Sequence, residues 1–145
     1  MKLNGAHIKI GEKIQKNRDK ILGGTMIAID PASRSLGYSV WQLGRMTDSG
    51  SIEAKGDIGQ RLAYLHDCLE GLPQADVMVI EKIGQGRQAH HFLLWSQGAI
   101  AAALRAPVTI EIPPSLWRRF RDKDYIKSDL NDAMYIGRTA IALAK

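Results

Sequence analysis

Apolar positions along the chain fall into two kinds of run. Met26-Ile27-Ala28-Ile29 and Val77-Met78-Val79-Ile80 are uninterrupted, as in strands buried on both faces, and each ends on an acid, Asp30 and Glu81. Leu36 to Leu43 and Arg45 to Glu53 are predicted as further strands around a turn at Gly44, which makes the first three strands a meander. Asp57 to Leu72 instead sets Ile58, Leu62, Leu65, Leu69 and Leu72 at helical spacing, with Gly71 and Pro73 to end it. A polar loop with Gly84 and Gly86 precedes an alanine-rich helix predicted over Ala89 to Leu104. Val108 to Ile112 reads as a fifth strand, Pro113-Pro114 as a break, and Ser128 as the cap of a final helix. The order β-β-β-α-β-α-β-α predicts an α/β fold. Its mixed five-stranded sheet joins an antiparallel meander to parallel strands and is flanked by helices.

Length and composition narrow this picture. A chain of 145 residues suits one domain, large enough to bury its own core. The single cysteine, Cys68, excludes an internal disulfide and a cysteine-pair metal site. No apolar run approaches the roughly 18 residues of a membrane span, and residues 1–24 lack the apolar core of a signal peptide, so a cytoplasmic location is expected. Of the net charge of +5, residues 1–24 carry +4: Lys2, Lys9, Lys13, Lys16, Arg18 and Lys20 against Glu12 and Asp19. This reads as a basic N-terminal arm over 1–24 ahead of a domain over 25–145, suited to polyanions or else a solvated leader. Trp117-Arg118-Arg119-Phe120-Arg121 interleaves aromatics with guanidinium groups, a combination suited to phosphates and stacked bases or to a helix end with one packed tryptophan.

The acids carry the chemistry. If the two apolar strands are parallel neighbours, Asp30 and Glu81 lie side by side at the carboxyl edge of the sheet, where open α/β sheets build their sites. The final helix opens SDLNDAMYIG, and Asp129 and Asp132, three residues apart, share one helical face. That face also carries Ala133, Ile136 and Ala140, so the acids turn with the apolar stripe toward the sheet. Carboxylates gathered this way raise one another's pKa unless a cation neutralises them. An all-oxygen set suits Mg²⁺ or Mn²⁺, and a two-metal site of this kind hydrolyses phosphodiesters. No glycine-rich phosphate loop follows the first strand, which argues against phosphate transfer from a nucleotide.

At these residues the chain resembles the RuvC-type Holliday junction resolvases of the ribonuclease H-like superfamily. AIDPASRSLGYSV is similar to that family's opening motif, VMVIEKI to its glutamate-bearing strand, IPPSLWRR to its proline-containing segment, and DLNDAMYIG to its closing aspartates. The resemblance runs from about Thr25 onward. It implies a homodimeric endonuclease that cuts four-way DNA junctions, with Asp30, Glu81, Asp129 and Asp132 as catalytic metal ligands. Three departures accompany it. The basic segment before the closing aspartates is short, RRFRDKDYIKS; Lys82-Ile83-Gly84 stands where the family tends to place an aromatic; and residues 1–24 have no counterpart. His90, His91 or Phe92 are candidates for the missing aromatic role.

The expectation is therefore a Mg²⁺-dependent endonuclease for branched DNA, with Mn²⁺ as substitute. Lys82, Arg87, Arg118, Arg119, Arg121 and Lys127 are the candidate nucleic-acid contacts. Flaps, forks, RNA–DNA hybrids and structured RNA remain alternative substrates, and a non-catalytic nucleic-acid-binding protein an alternative class. The apolar surplus of the second helix, with Phe92, Leu93, Trp95, Gly98, Ala99 and Ala102, points either to internal packing or to a homodimer.

Overall fold

The computed structural model describes residues 2–31, 35–83 and 91–145. Two helices come first, α1 (Gly5–Lys16) and α2 (Arg18–Gly23). The meander follows as β1 (Thr25–Pro31), β2 (Ser35–Gln42) and β3 (Arg45–Glu53), then α3 (Ile58–Glu70), β4 (Val77–Glu81) and α4 (His91–Leu104). The chain continues through β5 (Val108–Ile112), the single turn α5 (Pro114–Trp117), a 3₁₀ turn (Arg118–Phe120) and α6 (Asp129–Ala144). Strand order is β3-β2-β1-β4-β5, with β1–β2 and β2–β3 antiparallel and β1–β4 and β4–β5 parallel. This is the mixed five-stranded sheet that the sequence predicts. The alanine-rich helix is seen from His91, and the glycine loop before it lies outside the described residues.

The apolar runs make the centre of the sheet because both of its faces are covered. Met26 and Ala28 of β1 pack with Val77 and Val79 of β4 against Ile136 and Ala140 of α6. Ile27 and Ile29 point the other way, with Met78 and Ile80, into Leu65 and Leu69 of α3 and Ile100 and Leu104 of α4. Local signals fix the ends of the elements. Leu43 (φ 52°) and Gly44 (φ 77°) form a two-residue turn of left-handed residues, the geometry that matches strand twist in tight hairpins. Asp57 and Gln60 form a reciprocal capping box on α3, with bonds of 2.8 and 2.9 Å. Ser128 Oγ accepts the Asn131 N–H at 3.0 Å and starts α6.

Residues expected as a basic arm are folded onto the domain. Ile14 and Ile21 are fully buried in the α6-side core. His7 Nε2 lies 3.0 Å from Ser115 Oγ, Lys13 Nζ donates to the Thr109 carbonyl at 2.8 Å, and Arg18 Nε donates to the Ala144 carbonyl at 2.9 Å. Lys16 and Lys20 stay exposed to solvent while Ile14 and Ile21 pack inward. Among the described residues no helix is long and apolar enough to cross a membrane.

Candidate metal centre

Asp30 is the last buried residue of β1, only 6 % exposed. Alternation along the strand turns it to the same face as Met26 and Ala28, the face that α6 covers. Parallel pairing of β1 with β4 ends at Ile29↔Ile80, so Asp30 and Glu81 are the next residues of two adjacent strands. Glu81 shares the face of Val77 and Val79 by the same alternation. Two carboxyl groups thus stand together under the start of α6.

Gly37 brings the helix down onto them. It pairs directly with Asp30 across β1 and β2, and a Cβ at this position would stand 1.9 Å from the Asp129 carbonyl oxygen. Only glycine leaves room for the first turn of α6 to rest on β2. Ser39, buried on the same strand, clamps the helix further by donating to the Ala133 carbonyl at 2.8 Å. The first turn of α6 carries Asp129 and Asp132, where the helix dipole favours negative charge.

Three of the four acids are held by a donor from elsewhere in the chain. Trp117 Nε1 donates to Glu81 Oε2 at 2.7 Å, Tyr125 donates its phenolic O–H to Asp132 Oδ1, and Ser35 donates its hydroxyl to Asp129 Oδ2. Burial and then the Asp132 carboxylate push the Tyr125 phenol up, so it keeps its proton and donates. Ser35, Trp117 and Tyr125 are positioning groups that the sequence does not reveal as such. Trp117 offers a partial signal, since a buried tryptophan needs an acceptor for its N–H.

The acids act on one another. Burial, followed by the charges of Glu81, Asp132 and Asp129, raises the Asp30 carboxyl from 3.8 to about 8, against a smaller opposing pull from Arg118. Burial also lifts Glu81 above its usual range, and Asp132 pushes the same way while the Trp117 N–H and Arg118 pull it back. Asp30 is therefore predominantly protonated at neutral pH when no cation is bound. Among the described residues, no three of these acids bring ligand atoms within 4.8 Å of one another. The trio that does is His66, Asp67 and Glu70 on α3, mostly exposed, with spacings of 3.5 and 3.8 Å from His66 to the two acids.

The candidate nucleic-acid contacts surround this edge unevenly. Lys82 follows Glu81 and is exposed, as are Arg118, Arg119, Arg121 and Lys127. Arg118 and Arg121 lie 5.7 and 6.0 Å from the centre of the Trp117 ring, and Arg121 also sits 4.8 Å from that of Tyr125. Arg119 instead donates to the Lys2 carbonyl at 3.2 Å. Arg87 and His90 lie outside the described residues, as do the side chains of His91 and Phe92. On the β2–β3 side a cleft of about 590 Å³ is lined by Ser35, Glu53, Lys127, Asp129 and Asp132.

No protein-family model matches the sequence, and no curated protein matches it either. The three-dimensional comparison does find similar structures. A Thermus thermophilus RuvC structure solved in complex with Holliday junction substrate superposes with a TM-score of 0.66 at 17 % identity, covering 79 % of this chain and 90 % of that one. A second T. thermophilus RuvC structure gives a TM-score of 0.63 at 18 % identity, covering 79 % of this chain and 92 % of that one. The chain has the ribonuclease H-like fold of these proteins, as the sequence resemblance implies.

Proposed function

We propose that this protein is a divalent-metal-dependent endonuclease that resolves four-way DNA junctions by phosphodiester hydrolysis. The observation that carries this reading is the convergence of Asp30, Glu81, Asp129 and Asp132 on one face of the sheet edge. There the first of them is pushed to about 8 chiefly by burial and then by the other three. A centre built of carboxylates that destabilise one another suits a cation, and its all-oxygen donors suit Mg²⁺, with Mn²⁺ as substitute. When bound, such ions supply an activated water and neutralise the leaving oxygen of a phosphodiester.

The chain's own residues set the stage for that chemistry. Asp30 and Glu81 are held by the strands beneath them, and Trp117 holds one oxygen of Glu81, Oε2, in place. Tyr125 does the same for Asp132 and Ser35 for Asp129. Arg118, whose charge is felt at both Asp30 and Glu81, offers a contact for a phosphate arriving at the edge. Lys82, Arg121 and Lys127 flank the same edge, Arg119 lies further out, and Arg87 completes the proposed set. The T. thermophilus RuvC structure that holds a Holliday junction supports the choice of substrate.

The proposed assembly is a homodimer. Leu94 and Trp95 of α4 are about half exposed, and Gly98, Ala101 and Ala102 continue their stripe on the same outer face. Small residues behind an exposed tryptophan suit the close approach of a second copy. A second reading keeps the chemistry and changes the substrate to flaps, forks or hybrids. It is favoured by the short segment between the 3₁₀ turn and α6, which offers little junction-contacting surface.

Side-by-side cleavage of an immobile four-way junction, a flap, a fork and an RNA–DNA hybrid, with Mg²⁺ or with EDTA, separates the readings. The junction should be cut preferentially and only with metal, and Asp30→Asn should bind it but not cut it. Cleavage by Asp30→Asn at the wild-type rate would overturn the site. Preference for another substrate would overturn the junction.

A further inference from the structure

A second cleft opens on the opposite flank of the acids, between α1 and the outer edge of β5. It measures about 550 Å³ and is lined by His7, Lys9, Lys13, Lys82, Glu111 and Ser115, with apolar walls from Ala6, Ile10 and Pro113. We propose that this groove is a phosphate track that holds the backbone of one arm of the DNA substrate as it leaves the metal centre; the inference rests on the nuclease reading and extends it.

Position is the first argument. Lys82 directly follows Glu81, so the groove begins where the acids end. Its lining then runs along β5 from Ser115 and Pro113 back to Thr109. The four steps from Thr109 to Pro113, just past the end of β5, cover about 13 Å at roughly 3.3 Å each. A length of that order takes a short run of consecutive phosphates of one DNA strand, enough for the lysines along it to make separate contacts.

Charge is the second. Three lysines face one acid, Glu111, which leaves the groove positive in balance. Lysine ammonium groups act as mobile point charges on phosphate, and among the described residues no aromatic ring other than the His7 imidazole lines the cleft to stack a base. The groove therefore reads backbone and not sequence.

The third is construction. His7 is buried, its Nε2 is held 3.0 Å from Ser115 Oγ, and its Nδ1 has no partner among the described residues. Lys13 is held against the Thr109 carbonyl at 2.8 Å. These contacts fix α1 at a set distance from β5 and keep the cleft open between them. The helix that the sequence alone reads as a loose arm thus becomes one wall of a preformed channel.

The test measures binding of a fluorescent four-way junction to the full chain in EDTA, as log affinity against log salt. Neutralising two phosphate contacts changes the slope by about 1.8. Lys9→Ala/Lys13→Ala should lower the wild-type slope by that amount, so that between 50 and 200 mM salt its affinity falls roughly tenfold less than the wild type's. Lys16→Ala/Lys20→Ala removes the same charge from the same segment outside the groove and should leave the slope unchanged. Glu111→Gln should tighten binding severalfold. Lys9→Ala alone, which breaks no hydrogen bond seen in the fold, should account for about half the slope change and guards against misfolding of the double variant. A slope unchanged in Lys9→Ala/Lys13→Ala, or lowered equally by the control pair, overturns the groove. Failure of the wild type to bind the junction overturns the junction reading, and with it the groove as a holder of a junction arm.

Discussion

Replacing Asp30 by asparagine should make the metal-free protein more stable, by an amount that grows with pH. The folded state raises the Asp30 carboxyl from 3.8 to about 8 through burial and the three neighbouring acids. Between those two values the folded protein keeps a proton that the unfolded chain has released, so the free energy of unfolding declines as pH rises and is level outside that window. Each pH unit costs about 1.4 kcal/mol, which gives roughly 4 kcal/mol by pH 7 and about 6 kcal/mol by pH 8. Asparagine fills the same space without a charge to desolvate. Thermal unfolding of wild type and Asp30→Asn in EDTA at pH 4, 6 and 8 measures the difference. The two should melt together at pH 4, and at pH 8 the variant should melt higher by on the order of 10 °C for a chain of this size. Adding Mg²⁺ at pH 8 should then raise the wild type far more than the variant. A gap that stays constant with pH, or a variant less stable at pH 8, would refute the claim that the fold, chiefly through burial, raises the Asp30 carboxyl.

Other outcomes follow from single contacts. Trp117→Phe keeps the ring in the core but removes the N–H that holds Glu81, and should raise the Mg²⁺ concentration needed for cleavage about 10- to 100-fold, read from metal titration of the rate. Gly37→Ala would set a methyl against the Asp129 carbonyl and lift the start of α6, at a cost of about 1–3 kcal/mol in urea unfolding together with loss of cleavage. Ile14→Ala should cost about 2–5 kcal/mol by the same assay, since its side chain is fully buried under α6, whereas a loose arm would tolerate it. Trp95→Glu on the outer face of α4 should yield a monomer in sedimentation while leaving the thermal midpoint of the single chain within a few degrees.

The legible parts of this protein were the ones written locally. Doubly covered parallel strands spell uninterrupted apolar runs, so β1 and β4 and the acids at their tips stood out, and Ser128 announced the start of α6. The meander, too, was readable from its turn at Gly44. Residues 5–23 were not, because seven charged side chains on them obscure the spacing of Ile10, Ile14 and Ile21. Helices of 12 and 6 residues owe their order to tertiary packing more than to propensity. The donors that hold the acids were hidden for a related reason. Ser35 reaches Asp129 across 94 residues and Trp117 reaches Glu81 across 36, distances over which no pattern in the chain speaks. Gly37 was visible as part of a motif, but its cause, the carbonyl of Asp129 directly above it, exists only in the folded chain.

The hydrogen bonds that tie α1 and α2 to the far end of α6 also bear on how the chain folds. Gln15 reaches the Leu143 carbonyl and Arg18 the Ala144 carbonyl, across 128 and 126 residues. During synthesis α1 and α2 emerge well before α6, which helps to bury Ile14 and Ile21. Such long-range closure slows folding and leaves those isoleucines exposed in the meantime. The core that holds α1 and α2 to the domain is consequently completed when α6 docks and residues 126 and 128 positions apart become neighbours.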